Sequence, residues 1–528
     1  MSLIISGIRL PFDEPEEHAI EKAMKQCGLQ NGRPLRSSVY RSSIDRRHGK
    51  IDRVYSVCID GIEEEEAFCE RLADPSVRVR RECTLAFRRG TEKLEHRPLI
   101  VGLGPAGLFA AYVLAQRGYR PIVFERGKAI DQRDCSVETF WTGGPFDPES
   151  NIQFGEGGAG AYSDGKLTTR INDPFCDEVL RVFVRHGMPE EAARLAKPHV
   201  GTDILKNVVR SMRRQIIEWG GEVHFSSRLD DICVRSGRLC GVVVNGQNIP
   251  GDVCVMAIGH SARDTFFSLH DSGVYFEPKP FSVGVRIEHL QAEIDRALYG
   301  KYAGHPLLPA GEYALSNRRE GRACYSFCMC PGGQIVAAQS EEHTIVTNGM
   351  SYHARDGANA NAALAVSVDP LDFDNGTPFG GIAFQRQIER AAYRETKSYE
   401  APCQLVGDFL DGRRSRSFGQ VKPTYPVGTR FVEMDRFLPG FVCEELKHGL
   451  NAFGRKNAAF RAKDAVLTGP ETRTSSPVRM RRQENLHSLQ VGGLIPCGEG
   501  AGYAGGIMSA AVDGIRAAKQ IIETYSCE

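Results

Sequence analysis

The spacing of apolar and polar positions divides the chain into stretches of different rhythm. Residues 3–10 form a short apolar strand pattern. Residues 16–27 follow a helical period that puts Ala19, Ile20, Ala23, Met24 and Cys27 on one face. Residues 35–44 and 52–59 alternate with period two, and a second helix is expected to start in the acidic run 63–66. Strand, helix, two strands and helix predict a small ferredoxin-like α+β unit over residues 1–95. At Arg97 the pattern changes. Residues 98–102 run apolar into a glycine-rich turn, 108–117 read as helix and 120–125 as strand, which makes a βαβ unit. A helix over 202–219, short strands at 222–225, 228–234 and 239–244, and a strand at 252–259 follow. From about 270 to 490 the rhythm is lost in Gly, Pro and polar residues. It returns at the end as strand (494–497), glycine turn (498–506) and helix (507–524). The expected division is therefore 1–95, then an α/β unit built from 96–270 and 490–528, with an α+β substrate domain inserted over 271–489.

Composition changes this picture little. With 528 residues the chain exceeds one hydrophobic core. Its 41% apolar and 25% charged residues are those of a soluble globular protein. Lys+Arg and Asp+Glu both number 66, which gives no reason to expect nucleic acid or an anionic membrane as partner of the whole chain. One local exception is the stretch from Arg33 to Arg53, which holds seven basic residues against Asp45 and Asp52. It reads as a solvated hairpin face, or alternatively as a docking surface for RNA or an acidic partner. The start of the chain is too short in apolar residues for a signal h-region, and no run reaches the roughly 18–20 apolar residues of a membrane helix. The expectation is a soluble cytoplasmic protein. Sixteen scattered cysteines suggest reduced thiols, and no zinc-type Cys or His spacing occurs, so no metal is expected.

The strongest chemical signal is Gly102-Leu-Gly104-Pro105-Ala106-Gly107. It follows a strand, opens a helix, and meets Glu125 at the end of the next strand, 23 residues after Gly102. Gly102 permits the tight turn, Gly104 lets a pyrophosphate approach the backbone, and Gly107 lets the helix pack on the sheet. The helix N-terminus offers free N–H groups to phosphates, and Glu125 can accept from ribose hydroxyls. This is a Rossmann-type, glutathione-reductase-like dinucleotide site. The return Cys497-Gly498-Glu499-Gly-Ala-Gly-Tyr-Ala-Gly505-Gly506-Ile507 makes the dinucleotide FAD. A simple NAD dehydrogenase needs no second glycine contact, whereas this one brings Glu499 to the ribityl or ribose hydroxyls and a helix N-terminus to the flavin. Residues 255–259, ending in Gly259, resemble the strand-to-glycine element that closes such FAD domains. Arg126, beside Glu125, and Arg133 in the following segment join the expected cofactor contacts. No second GxGxxG lies on a strand–helix turn, so an NAD(P)H electron donor would be a transient visitor.

Longer motifs carry a family resemblance. Ser150-Asn-Ile-Gln-Phe-Gly-Glu-Gly157-Gly158-Ala-Gly160 precedes Ser163-Asp-Gly-Lys166-Leu. Phe327-Cys328-Met-Cys330-Pro-Gly-Gly333, Asn348-Gly-Met-Ser-Tyr352, Glu471-Thr-Arg473-Thr-Ser-Ser-Pro-Val-Arg479 and the C-terminal glycine segment follow in order. Through them the chain resembles the bacterial FAD-dependent dehydrogenases, also labelled NAD(FAD)-utilising dehydrogenases. The resemblance implies a two-domain FAD fold of the geranylgeranyl-reductase and hydroxylase kind and names no reaction. Tyr162 departs from the Phe expected beside Ser-Asp-Gly-Lys, a change expected to matter little.

Within these motifs the glycines 157, 158 and 160 would allow close approach to the isoalloxazine, and Lys166 is the candidate positive group beside it. Arg473, with Arg479, Arg481 and Arg482 near it, could read an anionic substrate; pairing with an internal acid is the alternative. Cys328 and Cys330 read as small residues of a packed strand–turn, or as a redox pair. His199 and Asp203 could cap the helix that begins near 202, and His260 could line the adenine side. The expected function is an FAD-dependent oxidoreductase moving an electron pair at flavin N5, reducing an activated C=C bond of a small, anionic substrate or running in reverse. A flavin-dependent RNA-modifying enzyme and a non-turnover redox sensor are the alternatives.

Overall fold

The computed structural model describes residues 2–29, 35–81 and 85–527. Arg33, the first of the basic stretch, lies outside them. The N-terminal unit is a four-stranded antiparallel sheet in the order Arg36–Asp45, Asp52–Asp60, Ser2–Pro11, Val77–Arg80. Helices Glu17–Gln26 and Glu65–Leu72 complete a ferredoxin-like βαββαβ path. The fourth strand, only four residues long, was not visible in the apolar pattern. Ala19, Ala23 and Cys27 are buried on this sheet as the helical period requires, with Ile20 and Met24 packed beside them.

The basic stretch of this unit is turned largely toward the chain itself. Arg41 reaches Asp177, Arg47 pairs with Asp45, Arg46 lies over the Tyr299 ring, and Arg53 donates to the Leu307 carbonyl at 2.5 Å. Ser42 exchanges backbone hydrogen bonds with Arg194 and Ala196, each at 2.8 Å.

The cofactor-type unit is a five-stranded parallel sheet in the order Leu494–Pro496, Cys254–Met256, Leu99–Val101, Ile122–Phe124, Glu222–His224. The chain's last strand-to-helix unit therefore lies in the same sheet as its first glycine turn. Helix Pro105–Gln116 is apolar on every side and buried from Ala106 to Ala115, as expected of a helix covered on all faces. It packs on helix Ile507–Thr524 so closely that a Cβ on Gly514 would stand 2.1 Å from the Ala106 carbonyl. A three-stranded antiparallel sheet of Leu229–Arg235, Arg238–Val244 and Gln247–Pro250 flanks it.

The segment whose rhythm is lost contains a seven-stranded sheet. Its order is Ser316–Arg319, Arg322–Cys330, Asn359–Val368, Phe281–Leu290, Val466–Glu471, Ala401–Leu405, Thr429–Phe431. Its two central strands pair over ten positions and are buried on nearly every residue. Both strands alternate: Phe281, Val283, Val285 and Ile287, and Ala360, Ala362, Leu364, Val366 and Val368, enter one apolar core, while Arg286, Glu288, Asn359 and Asn361 between them are polar yet buried and make the segment read as irregular. Among the described residues no helix is long and apolar enough to cross a membrane.

Candidate functional site

Strand Leu99–Val101 runs into Gly102, and helix Pro105–Gln116 leaves the same turn. Each glycine there is required for a different reason. Gly102 has φ +96°, and a Cβ on it would stand 2.3 Å from the Ala257 oxygen. A Cβ on Gly107 would stand 1.9 Å from the Gly102 oxygen, so Gly107 is what lets helix meet strand. Gly104 has an ordinary φ of −74°, and the nearest atom to its Cβ position is Gly158 Cα at 3.7 Å. Its missing side chain leaves room in an open cavity, not in the packing. Pro105 occupies the first turn, where no N–H partner is lost, and the helix dipole points its positive end at that space.

The cavity has a volume of about 520 Å³, within the range of small-molecule sites. Three segments far apart in sequence meet around it: residues 102–106, 158–166 and 498–507. Gly158 and Gly160 let the middle segment lie against the other two, since Cβ atoms there would stand 3.0 Å from Gly104 Cα and 3.1 Å from Ile507 Cγ1. At Gly505 and Gly506 a Cβ would meet nothing within 4 Å, and Gly506, with φ +101°, precedes the helix Ile507–Thr524. Gly259, also on the wall, has φ +72° and open space. The Gly498 N–H is fixed by Asp513 at 2.8 Å, and Asp513 is held by Arg482 at 2.8 and 3.0 Å. Two helix N-termini and backbone surface from three glycine segments suit a pyrophosphate and a flat ring system.

Glu125 lines the cavity beside the turn. Its carboxylate accepts from the N–H groups of Leu103 at 2.8 Å, Gly127 at 2.9 Å and Gly155 at 2.9 Å. A carboxylate has about four acceptor positions, so one remains for a hydroxyl. Arg126 also lines the cavity, gripped by Glu149 and Asp264 and lying 4.0 Å over the Phe154 ring.

Comparisons with known proteins bear on what fills this space. A family model described as "FAD-dependent protein, C-terminal domain-like" matches residues 280–474. An uncharacterized protein of Clostridium beijerinckii is 46% identical over 99% of this chain and 99% of its own length. The chain belongs to this FAD-dependent family. A thiamine thiazole synthase of Thermotoga maritima is 27% identical over 30% of this chain and 50% of that one. Among solved structures, a geranylgeranyl bacteriochlorophyll reductase-like protein of Thermoplasma acidophilum covers 82% of this chain and 79% of its own, at 10% identity and a TM-score of 0.34. A glycine oxidase of Bacillus cereus covers 82% and 98%, at 10% identity and a TM-score of 0.32. At those values the structural likeness says nothing about substrate.

The other expected site residues fall into two groups. Lys166 lines the cavity: its Nζ donates to the Met329 carbonyl and lies 3.7 Å from Glu312 and 3.9 Å from Asp164. Arg473 also lines it, but its guanidinium is held by Glu389 at 3.2 Å through two nitrogens and by Ser340 at 2.5 Å. It has the internal acid that was the alternative to substrate reading. Arg479 and Arg481 share Glu277. Arg133 does not line the cavity. It is fully buried and donates to the carbonyls of Asn151, Ile152, Glu156 and Gly158 at 2.6–3.0 Å, so it shapes the loop that reaches the cofactor space. Gly157 likewise stands behind the wall, its N–H on the Leu103 carbonyl at 2.9 Å. His199 and Asp203 do not cap the helix Thr202–Glu218. His199 bonds the carbonyls of Asp164 at 2.6 Å and His353 at 3.2 Å, and Asp203 accepts the His353 N–H at 2.8 Å. The Tyr162 hydroxyl, expected to be incidental, donates to Asp134.

Electrostatics at the cavity follow burial and neighbours. Burial pushes Glu499 up to about 7, with the Gly506 N–H and Lys279 pulling it down. Burial, then Arg473 and Arg263, hold His260 down at about 3, so it lines the wall as a neutral imidazole. Sequence spacing missed Arg286, fully buried, which donates to Glu471 at 2.8 and 3.0 Å and to the Cys328 carbonyl at 2.7 Å. The pair joins strands 185 residues apart, and no local pattern announces such a contact.

Proposed function

We propose that the protein is an FAD-dependent oxidoreductase that exchanges an electron pair with a small, anionic molecule admitted to the cavity beside Lys166. The observation that carries this reading is the meeting of residues 102–106, 158–166 and 498–507 around one space of about 520 Å³. Ala106 and the helix N-terminus behind it would hold the pyrophosphate, Glu125 and Glu499 would accept from hydroxyls, and Gly160, Gly505 and Gly506 would leave room for the flat ring. Bound FAD supplies a two-electron acceptor or donor. The chain's own part is binding, orientation and charge. Lys166 places a positive group on that wall, where it favours the reduced, more negative state. Arg170 and Lys197, with Lys166, give the same wall three positive charges against the two carboxylates of Asp164 and Glu312. That charge takes over the anion recognition expected of Arg473, whose fork is engaged by Glu389. Reduction of an activated C=C bond, or dehydrogenation in reverse, fits these parts, with NADH or NADPH visiting as donor.

The test is Lys166→Met. The two-electron reduction potential of the bound flavin is expected to fall by roughly 30 mV or more, equivalent to about 1.4 kcal/mol. An unchanged potential removes Lys166 from the mechanism. Anaerobic mixing with NADH or NADPH should bleach the flavin; a flavin that neither reaches rejects the nicotinamide donor.

A further inference from the structure

The segment Cys328-Met329-Cys330 is not accounted for by cofactor binding. It ends the strand Arg322–Cys330, whose pairing with Asn359–Val368 slips: Phe327 faces Ala363, but Cys330 faces Asn361. Three steps on one strand oppose two on the other, which is a β-bulge, a device that re-aims a side chain. Cys328 sits in the bulge with φ +44°. A left-handed non-glycine residue is held there only against backbone strain. A packing role alone would be filled more cheaply by glycine.

The bulge brings both thiols into one polar cluster. Cys330 Sγ lies 3.4 Å from the Cys328 carbonyl. Arg286 spans the pair, with Nη2 at 2.7 Å from the Cys328 oxygen and 3.8 Å from Cys330 Sγ. Lys166 donates to the carbonyl of Met329, between the two cysteines. Arg286 thus lies against the Cys330 sulfur and Lys166 against the backbone between the two cysteines, each also paired with a carboxylate, Glu471 for Arg286 and Asp164 and Glu312 for Lys166; nearby cations favour a cysteine's thiolate. The Cys330 donor, with Arg286 and Lys166, draws the Cys328 thiol down. Burial pushes Cys254, Cys324, Cys403 and Cys443 up to about 12. Cys328 lines the same cavity as Gly104, Gly160, Lys166 and Gly506, while Cys330 is fully buried behind it. A cavity-lining thiol, with a second, buried cysteine two residues on whose sulfur lies against the first one's carbonyl, is the arrangement of an attacking and a resolving cysteine.

We propose that Cys328 and Cys330 form a redox-active dithiol–disulfide pair that exchanges an electron pair with the flavin in this cavity, an inference that rests on the FAD reading above. Written toward the oxidised protein, both S–H bonds break and one S–S bond forms. The thiols lose one electron pair and two protons, and oxidised FAD takes up both to give reduced FAD. The reverse opens the disulfide. The protein then stores two electron pairs per chain, one on the flavin and one on the sulfurs.

The holoprotein, purified in air without added thiols, is titrated anaerobically with dithionite. The wild type is expected to take up two electron pairs per bound FAD, and Cys328→Ser and Cys330→Ser one each, at unchanged flavin content. Mass spectrometry after alkylation under denaturing conditions should find the 328–330 peptide unlabelled before reduction and doubly labelled after it. A wild-type protein that holds flavin but takes up one pair, or whose two cysteines are both labelled before reduction, overturns the proposal and leaves the FAD reading intact. A chain that holds no flavin overturns both.

Discussion

Gly104 and Gly107 stand three residues apart in one motif, yet the structure gives them opposite sensitivities. Gly107→Ala would push a Cβ to 1.9 Å from a backbone oxygen and should cost on the order of 3 kcal/mol, read as a lower urea midpoint. Gly104→Ala meets nothing closer than 3.7 Å and should unfold like the wild type. Its methyl enters the space meant for a pyrophosphate, so FAD affinity is expected to drop roughly tenfold to a hundredfold by fluorescence titration, about 1.4–2.7 kcal/mol. Glu499 gives a pH signature. Its folded value, about 7, lies above the ordinary 4.5, so the folded state holds a proton that the unfolded chain releases. Its contribution to stability is present in full below about 4.5 and is lost as pH rises through about 7, the reverse of a salt-bridged carboxylate. In FAD-free protein, Glu499→Gln should flatten this part of the stability–pH curve between those limits. Parallel curves for variant and wild type would refute the assignment. These residues were legible in the sequence because each glycine answers a local backbone demand. Glu389 and Arg286 were not, because what makes them matter is a partner far along the chain.

At the scale of elements, the loop 151–157 carries no helix or strand, and Arg133 holds it together with Gly158. One guanidinium satisfies four carbonyls that a dry interior would otherwise leave unpaired. Arg133→Met should therefore lose about 3 kcal/mol or more, since each abandoned buried acceptor costs about 1–3 kcal/mol. It should also release flavin, although Arg133 does not line the cavity. Flavin content by absorbance together with limited proteolysis near residue 155 reads both effects. The sequence pointed to Arg133 through its place after the acidic residue of the motif, and the structure gives that place a mechanical meaning. The helix Ile507–Thr524 and the parallel strands were predicted to within a few residues, because strand, glycine turn and helix succeed one another with clear changes of period. The large sheet was harder to read because the positions between the apolar ones in its central strands, Arg286 and Glu288 in one and Asn359 and Asn361 in the other, are polar yet buried, and what satisfies them lies far along the chain.

For the whole molecule, the ferredoxin-like unit is tied to the rest at a few identifiable points. Asp177, on helix Phe175–Arg185, accepts from the Tyr40 hydroxyl at 3.0 and 3.1 Å and pairs with Arg80 at 3.3 Å and Arg41 at 3.5 Å. Asp177→Ala should remove about 1 kcal/mol of this attachment and speed amide exchange in strand Arg36–Asp45, with flavin content unchanged. Unaltered exchange would mean that the backbone bonds at Ser42 carry the contact alone. The central claim is that glycine segments from both ends of the chain form one FAD site, and a side chain placed where none now stands tests it. Gly505 has open space around its Cβ position, so Gly505→Leu can fold while filling the cavity. Purified wild type and variant are reconstituted with excess FAD, freed of unbound flavin by gel filtration, and assayed for FAD per chain. One FAD per wild-type chain and a small fraction of that in an equally folded Gly505→Leu protein is the expected result; equal FAD in both, or none in either, would contradict it.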